Sequence, residues 1–464
     1  MSVALAFDPA RTVRQPSPPA ATDPILFGVF VVFAGFLFLV PDRYTVPIGA
    51  GVGLRPYQIL VLIVAVILIR RFVRGARLTV GRPAWIAGLL VLTAVVSMVA
   101  NQDMDDETFL GSFRLTVSTA FHVVVALAVG LLASTPRRRR FVVGVIVSMI
   151  SLASIFAIVE AQTSEPIRLD PTPPGLVEEK TQADQDYDGA PTIVRNGVPR
   201  PAGLLAHPLE LAAVMALAVP FAAYLFFVAR SWPARLWFLA CTVLIAVSLV
   251  LSISRTGFLA LAAILLVAFI ANLNRPRRIM IGLAALIAVG ATVAIVAPAS
   301  VDATIRQFEK DPTEDPSLAT RLQDYEELDN LLGPSPWFGR GPGALGTYVA
   351  RDGGGLILDN QYLLLIAETG VIGLAGLLVL LMSTGATAAR RIRGPTTERG
   401  LWVAAAGAVL AFAVMCETFD VMRFAQATSL FMVIVGLVSA ADVGNDEQEH
   451  ETFEWERREM GETA

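Results

Sequence analysis

Residues 137–161 read R-R-R-R-F-V-V-G-V-I-V-S-M-I-S-L-A-S-I-F-A-I-V-E-A. Four arginines precede a run of apolar side chains that has no amphipathic period. A helix needs about 20 such residues to cross the hydrocarbon core of a bilayer. In lipid the segment must satisfy its own backbone hydrogen bonds, and a single segment does so only as a helix. The arginines belong in water, and the bias of basic residues toward one side of a membrane marks that side as the cytoplasm.

The same pairing recurs outward from this stretch in both directions. Apolar runs lie near 25–40, 57–70, 84–100, 115–134, 141–161 and 206–228, then near 235–251, 255–271, 279–297, 361–384, 401–416 and 424–441. The expectation is an all-α, polytopic membrane protein with about twelve spanning helices. Composition agrees, with 55% hydrophobic and only 16% charged residues in 464, where soluble domains carry roughly a quarter charged.

The loops alternate in charge. One set holds Arg70, Arg71, Arg74, Arg77 and Arg82, then Arg137 to Arg140, Arg230 and Arg235, then Arg275, Arg277 and Arg278, and then Arg390, Arg391, Arg393 and Arg399. The other set holds Asp103, Asp105, Asp106 and Glu107, and then Glu178, Glu179, Asp184, Asp186 and Asp188. This alternation puts both termini in the cytoplasm: a disordered tail over 1–24, a membrane domain over 25–441 and a second tail over 442–464. The basic clusters set topology and touch lipid head groups. The N-terminal stretch lacks the apolar core and cleavage site of a removable signal peptide. Two long loops, 162–203 and 298–360, fall outside the cytoplasm, the larger between helices 9 and 10. A surface helix is expected over 320–332. Cys241 and Cys416 both sit in apolar runs, so no disulfide framework and no metal-ligand spacing is read.

Polar residues at membrane depth are costly and mark function. The strongest gather at the outer ends of helices. Arg200 and His207 lie in R-P-A-G-L-L-A-H-P, residues 200–208, where His207 and Glu210 also suit a helix cap. Arg255 follows Ser252-Ile253-Ser254 in a very short connection, and its planar fork suits phosphate oxygens. Arg340 sits in G-R-G-P-G, residues 339–343, which reads either as an anion-binding turn or as a flexible one. Asp359 and Asn360 stand at the mouth of a span, as base or as cap, ahead of Tyr362 and the deeper Glu368. Asp420 and Arg423, three residues apart, pair with each other in the simplest reading. Arg55, Arg114 and Arg321 are further outer-side arginines. No nucleotide-binding unit is present, so glycosyl transfer at this face requires a lipid-linked donor.

In order, these motifs resemble the O-antigen ligase and O-antigen polymerase (Wzy-type) family of membrane glycosyltransferases. The resemblance runs from about Arg200 to Gly373, through R-P-A-G-L-L-A-H-P, S-R-T-G at 254–257, the arginine-led segment from Arg321, G-R-G-P-G, and D-N-Q-Y with E-T-G-V-I-G after it. The ligases' pattern of His, then Asn, Ser or Gln, nine residues, Gly, two residues and a final Gly, Thr or Tyr fits Asn360, Gly370 and Gly373. Asp359 stands where the pattern has histidine.

The resemblance implies a GT-C-type helical fold in the plasma membrane that works without metal or cofactor. The implied donor is an oligosaccharide on polyprenyl diphosphate, undecaprenyl or similar, and a glycan or lipid hydroxyl is the acceptor. Attack at the anomeric carbon would invert it. By motif, Arg200 and Arg255 would clamp the diphosphate, with Arg321, Arg340, Tyr362 and Glu368 also touching substrate. Asp359 would be the base, oriented by Asn360 or Tyr362, and His207 is its competitor. The expected activity is polymerisation of a cell-surface polysaccharide alongside other envelope-assembly proteins. Ligase-type transfer to another envelope acceptor is the alternative. A lipid or polysaccharide transporter and a non-catalytic scaffold are the competing classes.

Overall fold

The computed structural model describes residues 24–49, 52–75, 79–168, 172–178, 193–195, 197–309, 335–345, 358–394 and 396–442. Among these residues lie thirteen α-helices. The first five are α1 (Pro24–Leu39), α2 (Pro56–Val73), α3 (Arg82–Ala100), α4 (Asp106–Leu132) and α5 (Pro136–Thr163). Next come α6 (Pro208–Val228), α7 (Trp232–Leu251), α8 (Arg255–Ala271), α9 (Pro276–Val296) and α10 (Pro298–Glu309). The last three are α11 (Gln361–Arg393), α12 (Arg399–Thr418) and α13 (Ala425–Asp442). Ten are long and apolar enough to span a membrane, and α1 and α8 are shorter apolar helices. Every expected span is therefore a helix, and the chain is a polytopic all-α protein.

Two boundaries differ from expectation for local reasons. Helix α4 begins at Asp106 rather than near 115, because the Asp105 carboxylate caps it by accepting from the Thr108 amide at 2.8 Å. Helix α11 runs on to Arg393, past 384, and places Arg390, Arg391 and Arg393 in its last turn, where cations favour the helix dipole. The first long loop carries short strands that hydropathy does not signal. Strand β1 (Tyr44–Gly49) pairs antiparallel with β2 (Val52–Leu54) and with β3 (Val177–Glu178), while β4 (Ile193–Arg195) pairs with β5 (Val198–Arg200). The expected helix over 320–332 lies outside the described residues.

Helix α13 forms the centre. Seventeen of its eighteen residues are buried, and it packs against α3, α4, α6, α11 and α12. Small residues let α4 come close, since a Cβ on Gly436 would lie 2.6 Å from the Ala126 carbonyl oxygen. Helix α9 is peripheral, with Val293 its only buried residue.

The basic clusters gather at one end of the bundle, and they do more than mark a side. Arg139, 1% exposed, is an interior residue. Its Nε lies 2.7 Å from Glu398 Oε2, and its guanidinium stands 5.4 Å over the Trp402 ring. Arg140 and the Tyr224 hydroxyl reach the other oxygen of Glu398, both at 3.3 Å. Arg399 ties α12 to the carbonyls of Ile392 and Ala271.

Candidate active site

The opposite end collects the residues singled out from sequence. The stretch 200–208 is held in place by two buried carboxylates. Glu160, on α5, accepts from the amides of Ala202 and Gly203 at 3.3 and 2.5 Å. Glu210, on α6, accepts from Ala206 at 2.9 Å and also from Gln426 and Ala427 at 2.8 and 3.3 Å, so it caps the central helix α13 as well. Gly203 adopts φ +66° with Ala157 beneath it, 3.1 Å from where a Cβ would stand. The result is a rigid strand-to-helix corner that aims two side chains. Arg200, 6% exposed, donates from Nε to the Ser252 carbonyl at 2.8 Å. His207 is the N-cap of α6, its Nδ1 accepting from Leu209 N at 3.1 Å.

That Ser252 carbonyl belongs to the connection between α7 and α8. The turn is as short as the sequence implies, and fully buried Ile253 takes φ +45°, a left-handed conformation costly for a β-branched residue. It delivers Arg255 to the first position of α8. Arg200 is therefore bonded to the turn that leads into Arg255.

His207 also packs against Phe424, ring centroids 5.9 Å apart. Phe424 closes the turn between α12 and α13, which holds Asp420 and the short 3-10 segment Val421–Arg423. Asp359 abuts the same turn electrostatically. Burial pushes the Asp420 carboxyl up to about 7; Arg423 opposes that rise and Asp359 adds to it. Burial pulls His207 down to about 3, with the Arg200 charge acting in the same direction. Its Nδ1 accepts a backbone N–H, so the neutral ring carries its proton on Nε2. His207 is thus a donor near neutral pH and a poor base.

The remaining expected residues make bonds within the protein. The Asn360 side chain caps α11, accepting from Tyr362 and Leu363 amides at 2.9 and 3.2 Å. The Tyr362 hydroxyl donates to the Ala413 carbonyl at 2.8 Å, away from Asp359. Glu368 is buried and paired with Arg423 at 2.5 Å, a partner 55 residues on; Arg423 keeps only a longer 3.8 Å contact with Asp420. Arg321 lies outside the described residues.

The G-R-G-P-G turn is tied down by backbone hydrogen bonds. Helix α11 breaks at Gly370, which has φ +71° and ψ −172°. The turn fills that break. Arg340 and Gly341 amides donate to the Ala367 and Glu368 carbonyls at 3.0 and 2.9 Å, and the Val371 amide donates to Pro336 O at 3.0 Å. Ser97 Oγ adds a bond to the Glu368 carbonyl at 2.8 Å. Backbone contact this close excludes side chains: a Cβ on Gly370 would lie 2.1 Å from Trp337 O, and one on Gly339 would lie 2.4 Å from Glu368 C. G-R-G-P-G and E-T-G-V-I-G thus form one unit that seats the first turns of α11, and Asp359 ahead of them. Asp420, Glu160 and Glu210 gained their roles from contacts across the bundle.

A multi-pass helical membrane protein with arginines, a neutral histidine and paired carboxylates at one end is the class that this geometry defines. Residues 240–378 match the family model described as O-antigen ligase, so over this stretch the chain is similar to that family. The matched stretch holds Arg255, Arg340, Asp359 and the Gly370 break; Arg200 and His207 precede it, and Asp420 follows it. No curated protein matches the chain.

Proposed function

We propose that this protein polymerises a cell-surface polysaccharide, transferring an oligosaccharide from a polyprenyl diphosphate to a hydroxyl of a second glycan at the outer face of the plasma membrane. In this reading the arginine-rich end and both termini are cytoplasmic. Similarity to that family supports glycan transfer in envelope polysaccharide assembly. The observation that carries the finer reading is the Arg200 side chain fixed on the Ser252 carbonyl, at the turn that presents Arg255 and beside neutral His207.

Two guanidiniums held in place supply the charge that a departing diphosphate develops, and such preorganised charge lowers a barrier most effectively in a water-poor site. The acceptor hydroxyl gives its proton to the Asp359 carboxylate. Its oxygen attacks the anomeric carbon opposite the bond to the diphosphate, so configuration inverts. The bond's electron pair leaves with the diphosphate oxygen. His207 offers its Nε2 proton as a hydrogen bond to the donor. Asp420, holding a proton below about 7, lets Asp359 carry the negative charge of the pair.

The test is purified protein with a lipid-linked oligosaccharide from the host's own envelope pathway, products resolved by size, with Asp359→Ala alongside. A ladder of lengthened glycans that is absent in the variant is expected. A single transfer to a second acceptor would make the protein a ligase, and no turnover by folded protein would overturn the transferase reading.

A further inference from the structure

Helix α10 is amphipathic in an unusual sense. Its buried residues are Ser300, Ala303, Thr304 and Gln307, while Ile305 and Phe308 are half exposed. Ser300, Thr304 and Gln307 recur at the spacing of one helix face, so a polar stripe points into the protein, while the outer face mixes Ile305 and Phe308 with the exposed ion pair Asp302–Arg306. A polar inner face needs partners within the protein.

Those partners are absent among the described residues. Both the Oε1 and Nε2 of Gln307 are buried without a hydrogen bond, as are Thr304 Oγ1 and Ser254 Oγ. Gln307 and Ser254 are each 1% exposed. An unsatisfied buried polar group is costly, so native folds keep few of them. Others lie elsewhere in the protein, at Tyr57 and Arg399 for instance, but those on α10 and at Ser254 sit beside the candidate site. Helix α10 packs on β5, which carries Arg200, and on the facing ends of α7 and α8. Phe308, next to Gln307, packs edge-on to Phe258 in the first turn of α8, ring centroids 6.4 Å apart. That turn begins at Arg255, directly after Ser254.

We infer that Gln307, Thr304 and Ser254 form a subsite for the sugar next to the diphosphate, binding neighbouring ring hydroxyls. A carboxamide needs both an acceptor and a donor opposite it, and adjacent hydroxyls provide both. A phosphate oxygen accepts only, which leaves Oε1 unmet, and a prenyl chain meets neither atom. The inference rests on reading Arg200 and Arg255 as the diphosphate clamp, and it makes α10 the element that selects the donor's first sugar. A site built on hydrogen bonds to hydroxyls discriminates strongly against ligands lacking them.

The experiment measures binding of two probes to the full-length protein in detergent: polyprenyl diphosphate, and the same lipid carrying one hexose. Wild type should bind the hexose-bearing lipid about tenfold more tightly. Gln307→Leu should lose that difference and keep its affinity for the bare lipid. Thr304→Val should lose part of it. The melting temperature of ligand-free Gln307→Leu should equal or exceed that of wild type, because the change removes an unmet buried amide. Arg255→Ala should weaken both probes alike. A Gln307→Leu protein that keeps the tenfold preference would overturn the subsite. So would one that melts several degrees lower, since Gln307 would then serve the fold. Wild-type protein that binds neither lipid would overturn the diphosphate reading, and the subsite with it.

Discussion

The two ends of the bundle handle buried charge in opposite ways. At the arginine end, Glu398 is met by Arg139, Arg140 and Tyr224, and Trp402 covers the Arg139 guanidinium. At the loop end, Asp359 and Asp420 share one neighbourhood, and Gln307, Thr304 and Ser254 keep unmet polar atoms. A paired network specifies and rigidifies a fold, although Arg140 Nε and Arg399 Nε stay without a hydrogen bond at the arginine end; unmet buried polar atoms lower stability unless a ligand completes them. Buried polar groups therefore hold the helices together at one end and, in the proposed reading, await a substrate at the other.

Substitutions can break this contrast. The largest effect is expected for Arg255→Ala, which should reduce glycan transfer by at least about 100-fold with folded yield unchanged, since the loss falls on charge stabilisation of the leaving group. Arg255→Lys should fail as well, because an ammonium lacks the planar fork. Normal turnover by either variant in the size-resolved assay would remove the clamp.

At the arginine end, Glu398→Ala should cost about 3–5 kcal/mol of stability by leaving Arg139 buried without its carboxylate. A thermal melt in detergent should show the loss, and Glu398→Leu combined with Arg139→Met should recover most of it. A double variant no better than the single would mean that the charges themselves specify the fold.

A subtler test uses pH. The Asp420 carboxyl is raised to about 7 by burial, whereas an exposed aspartate titrates near 3.9. Between these values the folded protein binds the extra proton. This contribution to stability is therefore full below about 4 and falls away as pH rises through 7. Asp420→Asn should flatten that part of the stability profile and shift the pH dependence of turnover, and an unaltered profile would disconnect Asp420 from Asp359. The smallest effect belongs to Tyr362→Phe, which removes one hydrogen bond to Ala413 and should cost about 1 kcal/mol of stability while leaving turnover near wild type. A large loss of turnover there would return Tyr362 to the substrate.

The spans were legible because transfer of apolar side chains to lipid leaves a signal within each segment, and because arginines sort by side. The arginine pair of the site was legible for a related reason: a guanidinium at a helix end beside a tight turn stands out against an apolar background. What hydropathy could not carry was contact between segments. The partner of Glu368 is Arg423, two helices later, and the simpler local pairing of Arg423 with Asp420 concealed it. The break at Gly370 is stable only because residues 335–343 supply its missing hydrogen bonds, so a window over 361–384 reads as one uninterrupted helix. Short strands in 162–203 were hidden because their pairing partners lie partly before α2. The polar stripe of α10 was visible in the spacing of Ser300, Thr304 and Gln307, and only burial reveals that it faces inward.

The central position of α13 has a consequence for biogenesis. A ribosome completes this helix after the other twelve described ones, yet α3, α4, α6, α11 and α12 all pack around it. Until it is inserted, Glu210 has no Gln426 or Ala427 amide to accept from, and the earlier helices lack their shared axis. The nascent protein must wait in the membrane as a loose set of segments, and a chain stopped before residue 425 would present to quality control an incomplete ring around a missing core.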